Sequence, residues 1–113
     1  SAGNNRLSNL VALIDYNKIQ SYGFTKEVAN LEPLADKWKS FGFEVSECDG
    51  HDVKELSAAI NSLSYVNEKP KIIICHTIKG KGIGYAENNP EWHHKSKISE
   101  QDVSDMLSAL GVV

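Results

Sequence analysis

An unbroken apolar run from Leu10 to Ile14, which stops abruptly at the polar residue Asp15, most constrains how this chain folds. Such a run is typical of a strand buried on both faces, since that strand has no solvent side for polar residues. In open α/β sheets ligands bind at the carboxyl ends of the strands. The segment after the run, which includes Asn17, is therefore the first candidate for chemistry.

Apolar periodicity and turn residues predict the elements that follow this strand. Asn30 is expected to cap the first helix, and Asp52 with Glu55 three residues later has the form of a capping box. The predicted elements are a loop at 21–29, a helix from Asn30 to Phe41 ended by Gly42, a strand from Phe43 to Cys48, a helix from Asp52 to Leu63, and a second fully apolar, buried strand from Lys71 to Thr77.

The order strand, helix, strand, helix, strand predicts an α/β fold with a three-layer parallel sheet flanked by helices. All three strands of such a sheet point the same way. The loops that contain Asn17, His51 and Lys79 therefore emerge at one edge, and we expect that edge to form a site.

The chain beyond this sheet predicts one long loop and one helix. Residues 80–97 are long for a connection inside a compact domain, and unpatterned loops of that length are often functional. Ser99 with Asp102 is expected to cap the last helix, which ends at Gly111.

Charge and composition exclude several classes of protein. The formal net charge of −3 and the pI near 5.8 argue against a nucleic-acid-binding protein, which needs clustered cations. No apolar run approaches the roughly 20 residues that cross a bilayer. Cys48 and Cys75 are far apart and form no C-x-x-C motif, which predicts two reduced, buried thiols. We therefore expect a soluble, cytoplasmic protein with no membrane partner.

Asn17 has two interpretations on sequence alone. Its side-chain oxygen is a hard ligand that suits Mg²⁺ or Ca²⁺. The same oxygen is equally typical of an Asx turn that closes a strand. Asp15 is similarly open between a metal ligand, a partner of a ligand and a strand-end cap.

The run Lys79-Gly80-Lys81-Gly82 combines two cations with two permissive glycines. Backbone and ammonium groups in such a run can approach a phosphate, although the P-loop frame is absent. A solvated turn is the alternative.

Four histidines complete the set of candidates. Neighbouring side chains generally point apart, so His93 and His94 are not expected to bind one ion, and a single hydrogen-bonding or acid/base histidine is the better functional interpretation. An exposed pair is the alternative. His76 is a core-edge residue or a pocket donor, and His51 is a turn residue.

The blocks DYNKIQ, LEPLADKWKSFGFEV, DGHD, TIKGKG and ENNPEWHHK occur in this order. From Asn9 to Lys95 the chain resembles the transketolase family, in the latter part of its thiamine diphosphate-binding domain. The resemblance implies thiamine diphosphate and Mg²⁺ (or Ca²⁺) as cofactors. It implies that Asn17 and the backbone carbonyl of Ile19 ligate the metal, that Lys79 contacts the cofactor, and that His93 lies near cofactor and donor substrate and is the candidate catalytic residue.

Two departures from the family pattern are visible. The G-D-G segment that supplies a further metal ligand in the family does not occur in this chain, and His94 stands where many members have Gly. We therefore expect residues 1–113 to be the C-terminal portion of the diphosphate-binding domain, a fragment without its upstream part and inactive by itself.

The function implied by the resemblance is transfer of a two-carbon ketol unit between sugar phosphates. The complete enzyme is then expected to work as a homodimer or with a split-subunit partner. The alternatives are a thiamine-dependent relative that makes deoxyxylulose phosphate or another sugar, and a non-catalytic module of the same fold that binds a ligand or a protein.

Overall fold

The structure is a computed structural model that describes residues 1–112. Its residues form two compact units, one built from residues 1–16 and 31–77 and the other from residues 17–30 and the chain from residue 78 onward. In chain order the elements are β1 (Val11–Tyr16), β2 (Ile19–Gln20), β3 (Gly23–Phe24), α1 (Thr25–Val28), α2 (Leu34–Ser40), β4 (Glu44–Asp49), α3 (Val53–Asn61), β5 (Lys71–His76), a 3₁₀ helix (Pro90–Trp92) and α4 (Glu100–Ala109).

The first unit is a parallel sheet with strand order β1-β5-β4. In the register of this sheet, Tyr16 and Asp49 both lie opposite His76. The carboxyl ends of all three strands therefore meet at one edge, which confirms the predicted parallel α/β topology.

The core of this unit lies on both faces of β5. On one face Ile72 and Ile74 pack with residues of α2, including Trp38. On the other face Ile73 packs with Leu56 of α3. The sheet is thus the middle of three layers, because the apolar run of β5 has no polar side to turn toward water.

The prediction that β1 is buried on both faces is wrong. The side chain of Leu13 is 50% exposed, and most of β1 is only half-buried. Within residues 1–112, β1 is an outer strand that pairs with β5 alone, so its residues have neighbours on one side only.

The helix α2 begins later than its sequence predicts. It starts at Leu34, and the carboxylate of Glu32 accepts a hydrogen bond from the Leu34 amide at 3.0 Å, so Asn30 is not the cap. A proline disfavours helical backbone angles at the residue before it, which explains why Glu32, before Pro33, stays outside the helix. The predicted end is confirmed, because Gly42 follows the helix with φ of +83°.

In the second unit, residues 21–29 are not the predicted loop. A tight hairpin joins β2 to β3, and the short helix α1 follows it directly. Elements of two to four residues are too short to show apolar periodicity, so the sequence carries no sign of them.

The predicted helix caps are confirmed at the start of α4 and in part at the start of α3. Ser99 and Asp102 form a reciprocal capping box in front of α4. Asp52 accepts from the amides of Lys54 and Glu55, but the Glu55 carboxylate accepts from the Asp49 amide and so does not close the predicted box.

Two further sequence predictions concern the thiols and membrane spans. Cys48 and Cys75 are buried and form no disulfide, as expected. Among the residues that the structure describes, no helix has the length and apolar character that crossing a membrane requires.

Candidate functional site

All four residues that the sequence assigns to the site lie in the second unit, namely Asn17, Ile19, Lys79 and His93. Asn17 directly follows Tyr16, the last residue of β1, and the later part of this unit begins at Ile78, two residues after β5 ends at His76. The site-bearing segments therefore start where two strands of the sheet end.

Asn17 forms the Asx turn that its sequence position suggests. Its side-chain oxygen Oδ1 accepts a hydrogen bond from the Ile19 amide at 3.0 Å. The φ of Lys18 is +65°, and the Lys18 carbonyl accepts from the Thr25 amide at 2.9 Å, so the turn is held at both ends. An amide oxygen has two lone pairs, and the Asx turn uses one of them. An amide oxygen is also a ligand type that a hard cation takes, so an Asx turn does not by itself exclude a metal role for Asn17.

Glycine geometry shapes the loop that carries the two lysines. Gly80 has φ of +76°, and a Cβ placed on it would lie 2.6 Å from the Ala86 carbonyl oxygen. Only glycine permits both the left-handed backbone and this close approach. The Lys79 carbonyl also accepts from the Asn88 amide at 2.9 Å, which closes the loop.

The two lysines of this loop differ in their partners. The Nζ atom of Lys81 lies 3.7 Å from the Glu87 carboxylate, which also accepts from the Gly82 amide at 3.0 Å. Lys79 is half-buried, and no acidic partner for it occurs within residues 1–112. Lys79 is therefore the lysine available to offset the charge of a bound anion.

The histidine loop is held by a cap and an aromatic cluster. The Asn89 side chain accepts from the Glu91 amide at 3.0 Å and begins the 3₁₀ helix. The ring of Trp92 lies 5.2 Å from the Tyr85 ring, and the Lys95 ammonium lies 3.7 Å from the centre of the Trp92 ring. These contacts fix the backbone immediately before His93.

The expectation that His93 and His94 point apart is wrong. The Nε2 atoms of His93 and His94 lie 3.4 Å and 3.5 Å from the Ser21 hydroxyl oxygen, and their ring centres are 4.2 Å apart. The φ of His94 is +59°, so the backbone turns at this residue and both rings converge on Ser21. Ser21 lies two residues after Ile19, and its hydroxyl therefore joins the Asn17 segment to the histidine loop.

The surroundings of His93 favour its neutral form. Partial burial, together with the neighbouring His94 and Lys79, lowers the pKa of His93 below its usual 6.5. Its Nδ1 atom is buried and has no hydrogen-bond partner within residues 1–112, and the same is true of Nε2 of Gln20. An unsatisfied buried polar atom costs about 1–3 kcal/mol, so both atoms suit contact with a ligand oxygen.

The donors of this unit fit an oxygen-rich ligand with a hard cation. Within residues 1–112, no group of three or more His, Cys, Asp or Glu side chains could hold a metal ion. The candidate donors are instead the Asn17 amide oxygen and the Ile19 carbonyl, which are the ligand types that Mg²⁺ and Ca²⁺ take. Two carbonyl oxygens are part of a coordination shell, and oxygens of a diphosphate complete such shells.

The other candidate residues lie in the first unit and have structural partners. The Thr77 hydroxyl donates to the Asp15 carboxylate across β1 and β5. His76 pairs with Glu47 at 2.7 Å, and the His51 amide donates to the Asp49 side chain at 2.8 Å in a turn. The turn role predicted for His51 is confirmed.

Sequence reasoning missed Gln20, Ser21 and His94 as parts of the site. Gln20 is the second residue of β2, and Ser21 follows it in the segment 21–29 that was predicted as a loop. A polar side chain in a loop carries no signal by itself. Only the departure from Gly at position 94 marked that residue in the sequence.

A family model described as transketolase, thiamine diphosphate binding domain, matches residues 1–113. An apulose-4-phosphate transketolase subunit of Phocaeicola vulgatus is 44% identical over 101 residues, which cover 88% of this chain and 36% of that protein. The 6-deoxy-6-sulfo-D-fructose transketolase subunit SqwG of a Clostridium species is 42% identical over 100 residues, again 88% of this chain and 36% of the relative. The chain therefore spans about a third of the length of these relatives.

The fold is also similar to solved structures. Transketolase from Campylobacter jejuni superposes with a TM-score of 0.83 at 28% sequence identity, over 97% of this chain and 17% of that enzyme. The match covers both units of the chain.

Proposed function

The chain belongs to the transketolase family, and on that premise we propose that the protein transfers a two-carbon ketol unit from a ketose phosphate to an aldose phosphate with thiamine diphosphate and Mg²⁺. The observation that carries the proposal is the set of candidate residues in one unit of the described chain. These are a turn with hard oxygen donors, a lysine without an acidic partner, and a histidine whose pKa is lowered and whose buried Nδ1 has no hydrogen-bond partner. This set suits a metal-bound diphosphate.

Each residue has a distinct role in this proposal. The Asn17 side chain and the Ile19 carbonyl would hold the metal, and Lys79 would offset the negative charge of the diphosphate. Nδ1 of His93 would hydrogen-bond to an oxygen of the cofactor or the donor sugar. Thiamine diphosphate, when bound, supplies the nucleophilic carbon that allows a C–C bond beside a ketone to break and form again. The protein contributes position and electrostatics.

Residues 1–113 supply part of this site in the proposal, as the C-terminal portion of the diphosphate-binding domain. Two relatives are named as transketolase subunits, which supports a partner subunit that provides further site residues. The names of these relatives make apulose 4-phosphate the first sugar phosphate to test, and 6-deoxy-6-sulfo-D-fructose, which carries a sulfonate in place of a phosphate, the second sugar to test. The two unbonded buried thiols suit a reducing, cytoplasmic location.

Substitution of Asn17 tests the proposal directly. In the complete enzyme, with its partner subunit if it has one, Asn17→Ala should weaken thiamine diphosphate binding at fixed Mg²⁺ by at least about tenfold to a hundredfold, since even residues that only support a metal ligand cost this much. Titration calorimetry measures the affinity, and a panel of donor sugars measures ketol transfer.

Asn61→Ala is the matched control, because Asn61 is exposed at the end of α3 in the other unit. It should leave cofactor affinity and turnover unchanged. Wild-type affinity in Asn17→Ala would contradict the metal role of Asn17. Cofactor binding without transfer from any sugar would favour the non-catalytic module.

A further inference from the structure

One hydroxyl meets two imidazoles in the second unit, and its hydrogen-bonding capacity limits how the protons are arranged. The Ser21 oxygen lies 3.4 Å from Nε2 of His93 and 3.5 Å from Nε2 of His94. A serine hydroxyl has one proton, so it can donate to only one of these nitrogens and must accept from the other.

The protons that His94 carries decide in which direction the two hydrogen bonds through Ser21 run. His94 is exposed, and a neutral imidazole in water carries its proton preferentially on Nε2, while a protonated imidazole carries protons on both nitrogens. Both states can therefore present an Nε2–H of His94 that donates to Ser21. The single proton of Ser21 is then left for Nε2 of His93.

A histidine that accepts at Nε2 and is neutral must carry its proton on Nδ1. Burial, together with the neighbouring His94 and Lys79, lowers the pKa of His93 and so favours its neutral form. Nδ1 of His93 is the buried atom that has no partner in the described part of the chain. The arrangement therefore leaves a buried N–H donor for which the described part of the chain offers no acceptor.

We propose that His94, acting through the Ser21 hydroxyl, holds His93 as the Nδ1–H tautomer, so that Nδ1 donates to a phosphate, carbonyl or hydroxyl oxygen of the ligand. Ser21 and His94 are positioning residues in this arrangement. The identity of the ligand rests on the proposed function, whereas the tautomer does not.

The backbone at His94 supports a role for its side chain. A φ of +59° costs a non-glycine residue free energy, and the turn at this position is what brings the imidazole to Ser21. Glycine would adopt the same turn without that cost but would leave Ser21 with no donor. Hydrogen bonds as long as these two are common in sites that tighten when a ligand binds.

The test is the tautomer of His93, measured without cofactor. In ¹⁵N-labelled full chain at slightly alkaline pH, long-range ¹H–¹⁵N correlation distinguishes protonated from unprotonated ring nitrogens. His93→Gln assigns the signals by removing them. We expect Nδ1 of His93 to carry the proton in the wild type, Ser21→Ala to move the proton to Nε2, His94→Gly to produce a mixture, and Ser21→Thr to restore the wild-type pattern.

Ser104→Ala is the control, because Ser104 is exposed on α4 of the same unit. It should leave the tautomer unchanged. A wild-type His93 with its proton on Nε2 would overturn the proposal, and so would an Nδ1–H form that persists in Ser21→Ala.

A kinetic readout links the tautomer to turnover. In the complete enzyme, Ser21→Ala should lower kcat by about tenfold with little change in the KM for cofactor, and Ser21→Thr should recover kcat. Equal kcat in Ser21→Ala and wild type would overturn the positioning role. The two proposals can fail separately. If the protein transfers ketol units but His93 carries its proton on Nε2, only this inference is wrong. If His93 is the Nδ1–H tautomer but the protein transfers no ketol unit, only the proposed function is wrong.

Discussion

Lys71 is a charged residue that is fully buried, with an exposed fraction of 0%. Its ammonium donates to the Ser8 carbonyl at 3.1 Å, to the Asn67 side chain at 3.0 Å and to the Lys69 carbonyl at 2.5 Å. Three acceptors satisfy all three protons of the group, which is why the charge is tolerated in the interior. Lys71 thereby ties the amino-terminal segment and the loop before β5 to the sheet.

We predict that Lys71→Met destabilises the chain, because it leaves three partly buried acceptors without their donor. Each unsatisfied acceptor costs about 1–3 kcal/mol, and the loss should fall in that range or above it. Urea denaturation measures the free energy of unfolding. Lys69→Met, at an exposed position two residues away, is the control and should change stability little. Equal stability of the two variants would contradict the structural role of Lys71.

Glu32 makes the stability of the first unit depend on pH. The Tyr16 hydroxyl donates to its carboxylate at 2.6 Å and the Leu34 amide donates at 3.0 Å, and these bonds lower the pKa of Glu32 below its usual 4.5. A lowered folded-state pKa adds stability above the unfolded-state pKa, and that stability is lost as the pH falls through the folded-state pKa.

We therefore predict that Glu32→Gln is less stable than wild type near neutral pH, and that the difference shrinks below the usual pKa of 4.5 and disappears once the pH is below the lowered pKa of Glu32. Thermal unfolding of both proteins across this range measures the effect. Tyr16→Phe removes the hydroxyl donor and should show a smaller difference of the same sign. A difference that stays constant down to strong acid would contradict the role of the Glu32 hydrogen bonds.

At the scale of elements, sequence pattern predicted what is long and periodic. The parallel strands, α3 and α4 follow from continuous or helical apolar spacing and from caps at Asp52 and Ser99. The hairpin after β1 could not be found, since strands of two residues show no period. The burial of β1 was overestimated because an apolar run does not tell whether a neighbouring strand is present on both sides.

The candidate site was predictable only in part, for a related reason. The segments that carry Asn17, Lys79 and His93 were located from strand ends, glycines and family blocks. Which lysine is paired, where the two histidine rings meet and that Ser21 joins them depend on backbone angles such as the φ of His94. A residue pattern reveals such angles only where they require glycine.

The loop between β5 and the histidines depends on Gly80 more than on its other glycines. At Gly80 a Cβ would meet the Ala86 carbonyl carbon at 2.8 Å and its oxygen closer still, with φ at +76°. At Gly84 a Cβ would have nothing within 4 Å. The two positions form a matched pair for the same substitution.

We predict that Gly80→Ala lowers the free energy of unfolding by more than about 1 kcal/mol, since strain and a backbone clash add, whereas Gly84→Ala leaves it unchanged or raises it slightly. Thermal and denaturant unfolding compare the variants. In the complete enzyme Gly80→Ala should also weaken cofactor binding, because Lys79 moves with the loop. A stable Gly80→Ala with wild-type binding would show that the loop rearranges freely.

At the scale of the whole molecule, neither compact unit is continuous in sequence. The chain passes from one unit to the other after Tyr16, after Asn30 and after Thr77. A stop after Thr77 would keep every strand of the sheet but leave residues 17–30 without the later segment that contacts Ser21. The site residues therefore cannot be separated from the sheet as one contiguous piece.

The reactivity of the two buried thiols of the sheet reports how often the sheet opens. Cys48 and Cys75 lie opposite each other on β4 and β5, and burial together with the neighbouring Cys48 raises the pKa of Cys75 to about 11. A buried neutral thiol does not react with an alkylating reagent until the surrounding strands separate.

Iodoacetamide should therefore label the native chain at least about a thousandfold more slowly than the urea-unfolded chain, the ratio expected of a stable domain. Mass spectrometry counts the labels, and simultaneous labelling of both residues would show that the sheet opens as one cooperative piece.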